Sequence, residues 1–199
     1  MPAWLTLVAG ANGAGKSTLT SALPFHAALN PDVFAQQLQL GGVPTGYADL
    51  LAVQLVEQAV ATAIRGGFSI VVETVLSTPK YRRHVTDAHA AGMAFGLVYI
   101  ALSSADLAVA RVWERVQAGG HDVPEAKIRS RWQRSLDNFG WFAERADKLL
   151  VFLNDTRAPE LLAWGDQQGI TLAPDALARH RQTPIVGRLL TLPILFRAP

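Results

Sequence analysis

The residues best suited to do chemistry lie in one run near the start of the chain, Gly10-Ala11-Asn12-Gly13-Ala14-Gly15-Lys16-Ser17-Thr18. The run satisfies G-x-x-x-x-G-K-[ST], a spacing that lets backbone wrap the phosphates of a nucleotide. Its glycines allow the main chain to curl until several N–H groups converge on one anion. A helix that starts directly afterwards adds the positive end of its dipole. Lys16 then reaches the β- and γ-phosphates, and the Ser17 hydroxyl serves Mg²⁺. The spacing therefore predicts a nucleotide site made of all nine residues, with Asn154, at a later strand end, facing the same crevice.

A phosphate loop does not say what happens to the γ-phosphate. Asp32 is the first candidate for that role. It follows Asn30-Pro31 at the expected end of the strand after the loop and its helix. A carboxylate there can orient or deprotonate an attacking hydroxyl; Asp32 is equally suited to cap a helix beginning at Val33. Glu73 ends an otherwise apolar strand, where a carboxylate is costly unless it meets water, a metal or a ligand. It is read as a substrate hydroxyl acceptor or an outer partner of Mg²⁺. Glu57 by itself is a solvated flank of an apolar helical stripe. Arg111 and Arg115 stand one turn apart on a common helix face, and Arg129, Arg131 and Arg134 follow. One of these arginines, carried on a lid over Val116 to Ile128, can stabilise the charge of a transferring phosphoryl group. His121 sits in that lid with no second histidine at metal spacing, so no zinc site is read.

The elements that must position these groups alternate between strand and helix. Strands are expected at Trp4–Ala9, His26–Leu29, Phe68–Thr74, Ala94–Leu102 and Leu149–Leu153, the last taken as the final strand. Helices are expected from Leu19 to a stop at Pro24, then at Val33–Leu40, Tyr47–Arg65, Pro79–Ala91 and Ser104–Gln117. A further helix begins at Asp122-Val123-Pro124-Glu125, with Asp122 as cap, and runs to about Arg145. Ala158–Gln168 reads as a C-terminal helix and Ala173–His180 as a short one. This alternation predicts an α/β fold with a mainly parallel five-stranded sheet. In such sheets ligands collect beyond the carboxyl ends of the strands, which brings Gly10, Asp32, Glu73, Ser103 and Asn154 around one crevice. Trp113, Trp132 and Trp141 are read as core or helix-packing residues.

Bulk properties set the remaining bounds. The chain has 199 residues, 50% hydrophobic and 17% charged, which suits a folded domain and argues against disorder. Residues 1–170 are expected to form the domain and 171–199 an extension of it. The formal charge of +2 is too small to imply nucleic acid, and no RNA-binding signature is present. With no cysteine there is no disulfide and no thiolate chemistry. No apolar run approaches a membrane span and no secretory signal is visible, so a cytoplasmic protein without membrane partners is expected.

Over roughly Leu5 to Thr156 the chain resembles the zeta-toxin-like P-loop kinases of bacteria. The phosphate loop carries part of the resemblance, with Leu29-Asn30-Pro31-Asp32-Val33-Phe34-Ala35 and Val71-Val72-Glu73-Thr74. Ala110-Arg111-Val112-Trp113-Glu114-Arg115-Val116, Gly119-Gly120-His121-Asp122-Val123-Pro124 and Asn154-Asp155 complete it. The Gly-Gly-His-Asp-Val-Pro lid is the most specific piece. The resemblance implies a kinase-type P-loop NTPase fold with a helical lid. It also implies Mg²⁺-dependent transfer from ATP or GTP to a hydroxyl of a small substrate. In the best-known members that substrate is UDP-N-acetylglucosamine, and an antitoxin protein holds them in check. By position, Lys16 looks like the phosphate lysine, Asp32 the base, Glu57 and Glu73 the sugar-nucleotide carboxylates, and Arg115 or Arg111 the charge-stabilising arginine. Two departures stand out. His121 occupies the place of a lid arginine in the toxins, and Thr74-Val75 replaces a glycine-threonine pair. A kinase for another small hydroxyl compound, or a nucleotide-dependent switch, therefore remains open beside the sugar-nucleotide kinase.

Overall fold

The computed structural model describes residues 2–22, 28–120, 122–156, 158–193 and 196–197. Its centre is a parallel arrangement of Ile70–Thr74 (β2), Trp4–Ala9 (β1), Ala94–Ala101 (β3) and Lys148–Leu153 (β4), side by side in that order. Alternation along these strands builds two apolar layers. Leu5, Leu7, Phe95, Leu97 and Tyr99 face one layer; Val8, Val98 and Ile100 face the other. Burial on both faces is what the continuous apolar runs of the sequence require.

The helices have local causes. Asn30 caps Pro31–Leu40 (α2): its side chain accepts from the Asp32 N–H at 2.9 Å, and Pro31 occupies the first turn, where its missing donor is harmless. Thr45–Gly66 (α3) buries Ala48, Ala52, Val56, Val60 and Ile64 on one stripe. It ends at Gly67, whose left-handed φ of 66° lets its N–H close on Ala63 and Ile64. Tyr81–Ala90 (α4) follows β2. Ser104 caps Ala105–Gln117 (α5) through a hydrogen bond from Leu107 N at 3.1 Å. Glu125–Ala143 (α6) covers the sheet beside α5. The phosphate loop leads into Lys16–Ala22 (α1), whose expected stop at Pro24 lies outside the described residues.

Several expectations are corrected. Among the described residues the sheet has seven strands, not five. The stretch read as a helix over Ala158–Gln168 is a strand, Glu160–Asp166 (β5), antiparallel to β4. Its short run Leu161-Leu162-Ala163-Trp164 suits either conformation. The open edge of β4 decides for strand, because its backbone groups need partners. Gln167-Gln168 then turns the chain into Gly169–Leu172 (β6), and Gly165 packs so closely on Gly169 that a Cβ would meet its carbonyl oxygen at 2.3 Å. Leu149–Leu153 is therefore not the last strand. Residue 170, the expected domain boundary, falls inside β6.

Ala176–His180 (α7) and Pro184–Leu190 (α8) follow, and Ile185, Val186 and Leu189 join the main core; Phe196–Arg197 (β7) closes the sheet beside β6. Of the strand expected over His26–Leu29, only the end is described: Leu29 bridges Val72 on the outer side of β2. Asp122 does not cap α6, which starts from Pro124 without a side-chain cap. Trp113 is 63% exposed rather than packed, because its face of α5 points away from the sheet. Trp132 does pack, donating to the Leu102 carbonyl at 3.2 Å, and Trp141 lies between the guanidinium groups of Arg82 and Arg145.

Candidate functional site

The run Gly10–Thr18 forms a tight loop between β1 and α1. Gly10, Gly13 and Gly15 have φ of 149°, 77° and 87°. At Gly10 a Cβ would meet the Ile100 carbonyl oxygen at 2.2 Å, and at Gly15 it would meet Asn154 Nδ2 at 2.5 Å. Glycine is thus required both by conformation and by space. Asn154, at the end of β4, donates to the Ala14 carbonyl at 2.9 Å and fixes the loop from the sheet side. Asn12 is 3% exposed, with Oδ1 buried and unpartnered among the described residues. Lys16 Nζ donates to the carbonyls of Gly10 and Ala11, both at 2.9 Å. Burial lowers the Lys16 pKa to about 8, while Glu73 and Asp32 nearby act to keep it charged.

Glu73 sits against this loop, not apart from it. It is 5% exposed and collects three donors: Ser17 Oγ at 2.8 Å, Asn30 Nδ2 at 2.9 Å and the Thr20 hydroxyl. A carboxylate buried at a strand end is tolerable when it is satisfied in this way. Because Ser17 donates its proton to Glu73, the lone pairs of the hydroxyl remain available to a hard cation. An exposed hydroxyl beside a buried carboxylate fits Mg²⁺, which takes few protein ligands and keeps waters and phosphate oxygens. Thr20 and Asn30 are members of the site that sequence reasoning missed. Thr20 lies one turn beyond Ser17 on the same helix face, and Asn30 carries a cap signal in Asn-Pro. Either pattern was available to find them.

Across the cleft, Asp32 occupies the first turn of α2 with its side chain exposed. It does not cap the helix; Asn30 does, which leaves the Asp32 carboxylate facing the opening. A cleft of about 460 Å³ joins Lys16, Ser17 and Glu73 to Asp32, Val33 and Gln36. Its far wall is the turn after β2, Val75 to Thr78, with Lys80 and Tyr81. That turn is held in an unusual shape. Leu76, 1% exposed, has a φ of 59° and is the single non-glycine residue with positive φ among those described. Its N–H is held by Thr74 Oγ1 at 3.0 Å and its carbonyl by Asn138 Nδ2 at 3.1 Å. Glu57 is not brought into this cleft. It pairs at 3.5 Å with Lys80, which lines the cleft, and borders an adjoining depression with Arg83 and His84.

Arg115 and Arg131 line the cleft, and both act electrostatically on Lys16. Arg111, on the same face of α5 as Arg115, packs instead on the phosphate loop: a Cβ at Gly13 would meet its Cβ at 3.1 Å, and its guanidinium donates to the Thr156 carbonyl at 3.0 Å. Arg129 is taken by Asp106 and Glu125, at 2.6 and 2.8 Å. Of the later arginines only Arg131 lines the cleft, and no sequence signal distinguishes it from Arg129. The segment expected as a lid joins α5 to α6; Gly120 closes on Arg115 through its N–H, and Val123 is buried. His121 lies outside the described residues. Thr18 is exposed on α1.

Residues 5–139 match the model of a protein family described as AAA domain (AAA_33). No curated protein matches the chain significantly by sequence. Among solved structures, a chain of the AvrRxo1-ORF1:ORF2 complex with ATP aligns at a TM-score of 0.69 and 16% identity. The alignment covers 92% of this chain and 64% of that one. A structure of the PezAT chromosomal toxin–antitoxin system of Streptococcus pneumoniae aligns at 0.61 and 18% identity, over 80% and 70% of the two chains. A chain of the Pnkp1/Rnl/Hen1 RNA repair complex aligns at 0.56 and 17% identity, over 71% and 46%. The present chain thus spans just under two thirds of the first neighbour, and at these identities the likeness is one of fold. The fold is that of P-loop proteins and bears out the resemblance to the zeta-toxin-like group.

Proposed function

We propose that this chain, which belongs to the AAA-domain family of P-loop proteins, is a phosphotransferase. In this reading it moves the γ-phosphoryl group of ATP to a hydroxyl of a small molecule. One observation carries it: a single cleft joins the phosphate loop, with Lys16 and the Ser17–Glu73 pair, to an exposed carboxylate, Asp32, on a different element. A loop that only held a nucleotide would not need the second half of that cleft.

The steps follow from the groups present. The loop N–H groups and Lys16 hold the β- and γ-phosphates. Ser17, positioned by Glu73, is the residue that would hold Mg²⁺, whose charge, when it is bound, offsets that of the phosphate oxygens. Asp32 accepts the proton of the acceptor hydroxyl. That oxygen then forms a bond to the γ-phosphorus as the bond to the β–γ bridging oxygen breaks, and ADP departs. Arg115 and Arg131 stabilise negative charge on the transferring group.

For the acceptor we propose UDP-N-acetylglucosamine as the first compound to test, with the protein acting as a growth-arresting toxin in the cytoplasm under an antitoxin partner. The toxin–antitoxin neighbour supports that reading. A different small hydroxyl acceptor, such as a sugar or an antibiotic, has its own support: Glu57, which the resemblance assigns to the sugar nucleotide, does not line the cleft and is engaged by Lys80 of the cleft wall. Incubation with γ-labelled ATP, Mg²⁺ and UDP-N-acetylglucosamine distinguishes them, with Asp32→Asn as control. Label on the sugar nucleotide that disappears in Asp32→Asn supports the first acceptor. Label on another compound of a hydroxyl panel supports the second. Nucleotide binding without transfer to any of them would leave only a nucleotide-dependent switch. Growth arrest on expression of wild type but not Asp32→Asn tests the toxin reading separately.

A further inference from the structure

Helix α3 buries Ala48, Ala52, Val56 and Val60, yet its opposite face is not charged, as the outer face of a surface helix usually is. Tyr47, Leu51, Gln54 and Gln58 follow one another at steps of four, three and four residues, with Leu50 and Leu55 on the flanks. That is the spacing of a coiled-coil seam. Tyr47 is 65% exposed, Leu50 54% and Leu55 47%. On α2, Leu40 is 76% exposed, and Val33, at the mouth of the cleft, 51%. Including Phe34, this one hairpin holds six of the eleven large apolar side chains that stand exposed among the described residues.

Charge is scarce here as well. From Ser17 to Ile64 there is no lysine or arginine, and from Val33 to Val56 the one charged residue is Asp49. A monomer that leaves this many large apolar side chains in water on one helical hairpin is unusual.

We infer that this face is a homodimer interface, in which α3 lies antiparallel against α3 of a second copy about a two-fold axis. The occupant is argued from self-complementarity. An axis placed between Ala52 and Val53 sets Leu51 opposite the partner's Gln54 and Tyr47 opposite the partner's Gln58, with Leu50 level with the partner's Leu55. Leu51 and the methylenes of Gln54 thus meet at the centre, Leu50 and Leu55 of both copies cover the two flanks of the seam, and each tyrosine is brought to the shallow depression formed by Gln54, Glu57, Gln58 and Ala61. The glutamine amides both donate and accept, so they can be satisfied by like groups or by the tyrosine hydroxyl. From Tyr47 to Ala61 there is no cation, and of the two carboxylates, Asp49 and Glu57, the second is paired with Lys80, so two identical faces meet with little like-charge repulsion. A standard interface buries roughly 800 Å² per partner, and Tyr47, Leu50 and Leu55, each about half exposed or more, supply its apolar part. Such a contact is isologous and closes on itself. It also clamps α2, the helix that carries Asp32, Val33 and Gln36 into the cleft.

Sedimentation equilibrium of the full chain from about 1 to about 100 µM tests this. The expected result is a species of twice 21.4 kDa. Leu50→Glu is expected to weaken dimerisation at least about tenfold. Circular dichroism reports whether that variant folds, and Gln54→Glu is the milder second variant. Because the chain has no cysteine, Gln54→Cys can be joined by a short bismaleimide only to another copy. Covalent dimer is expected there and not at Trp113→Cys on α5. A wild type that stays at 21.4 kDa throughout overturns the inference. So does a dimer that is equally tight in folded Leu50→Glu or Gln54→Glu, and so does cross-linking no faster at 54 than at 113.

Discussion

The two ends of the cleft are built in different ways. At the donor end of the proposed reaction every group is tied down: Asn154 of the sheet holds the loop, Glu73 gathers Ser17, Thr20 and Asn30, and Lys16 is enclosed by the loop's own carbonyls. At the acceptor end Asp32 is exposed on the first turn of α2, and the facing wall is an uncharged turn, Val75 to Thr78. The difference teaches where rigidity is needed. Phosphate binding requires several donors fixed within a few tenths of an ångström. A carboxylate that takes a proton needs reach and the right charge, and its surroundings are free to suit the acceptor.

If the ends are separable, Asp32→Asn breaks one and spares the other. Phosphoryl transfer is expected to fall about 10² to 10⁴-fold, while ATP affinity by calorimetry stays within a few-fold and unfolding stability within about 0.5 kcal/mol. Loss of ATP binding in this variant would mean that the two ends form one unit. Glu73→Gln tests the donor end. Its amide sets a donor against groups that already donate, so urea unfolding should show a loss of about 1–3 kcal/mol, together with weaker dependence of turnover on Mg²⁺.

The third prediction concerns pH. Lys16 binds fewer protons in the folded chain than in the unfolded chain between about 8 and its usual 10.5. Stability of the nucleotide-free protein should therefore rise with pH across that window and level off above it. Nucleotide affinity should fall over the same range as the ammonium is lost. Lys16→Met should remove the rise, and denaturant titrations at several pH values follow it. Glu57→Gln should do least. Its exposed pair with Lys80 contributes about 0–1 kcal/mol, and ATP turnover should change less than twofold; a large loss of transfer to UDP-N-acetylglucosamine alone would restore the sugar-nucleotide role.

Legibility in the sequence followed the same division. The phosphate loop and the strand end at Glu73 are local patterns with one physical solution each, so spacing alone located them. The parallel core was readable because Ile70-Val71-Val72 and its counterparts must be buried on both faces. What could not be read depends on rotation or on neighbours. Arg129 and Arg131 differ by two residues, which turns one toward Asp106 and the other into the cleft. Leu161 to Trp164 has no helical or strand period of its own; the unpaired edge of β4 makes it a strand. Glu57 looked like an acceptor contact through resemblance, but its position on α3 sends it to Lys80.

The left-handed turn at Leu76 has a consequence for how such a protein diversifies. Its path is pinned by Thr74, at the edge of the cleft, on one side and by Asn138 of α6, outside it, on the other. The residues that face the ligand, Val75, Ser77 and Thr78, do not set that path. They can be exchanged without moving the wall they stand on. New acceptors are therefore reachable by single substitutions in an unchanged backbone, while the donor machinery a few residues away stays as it is.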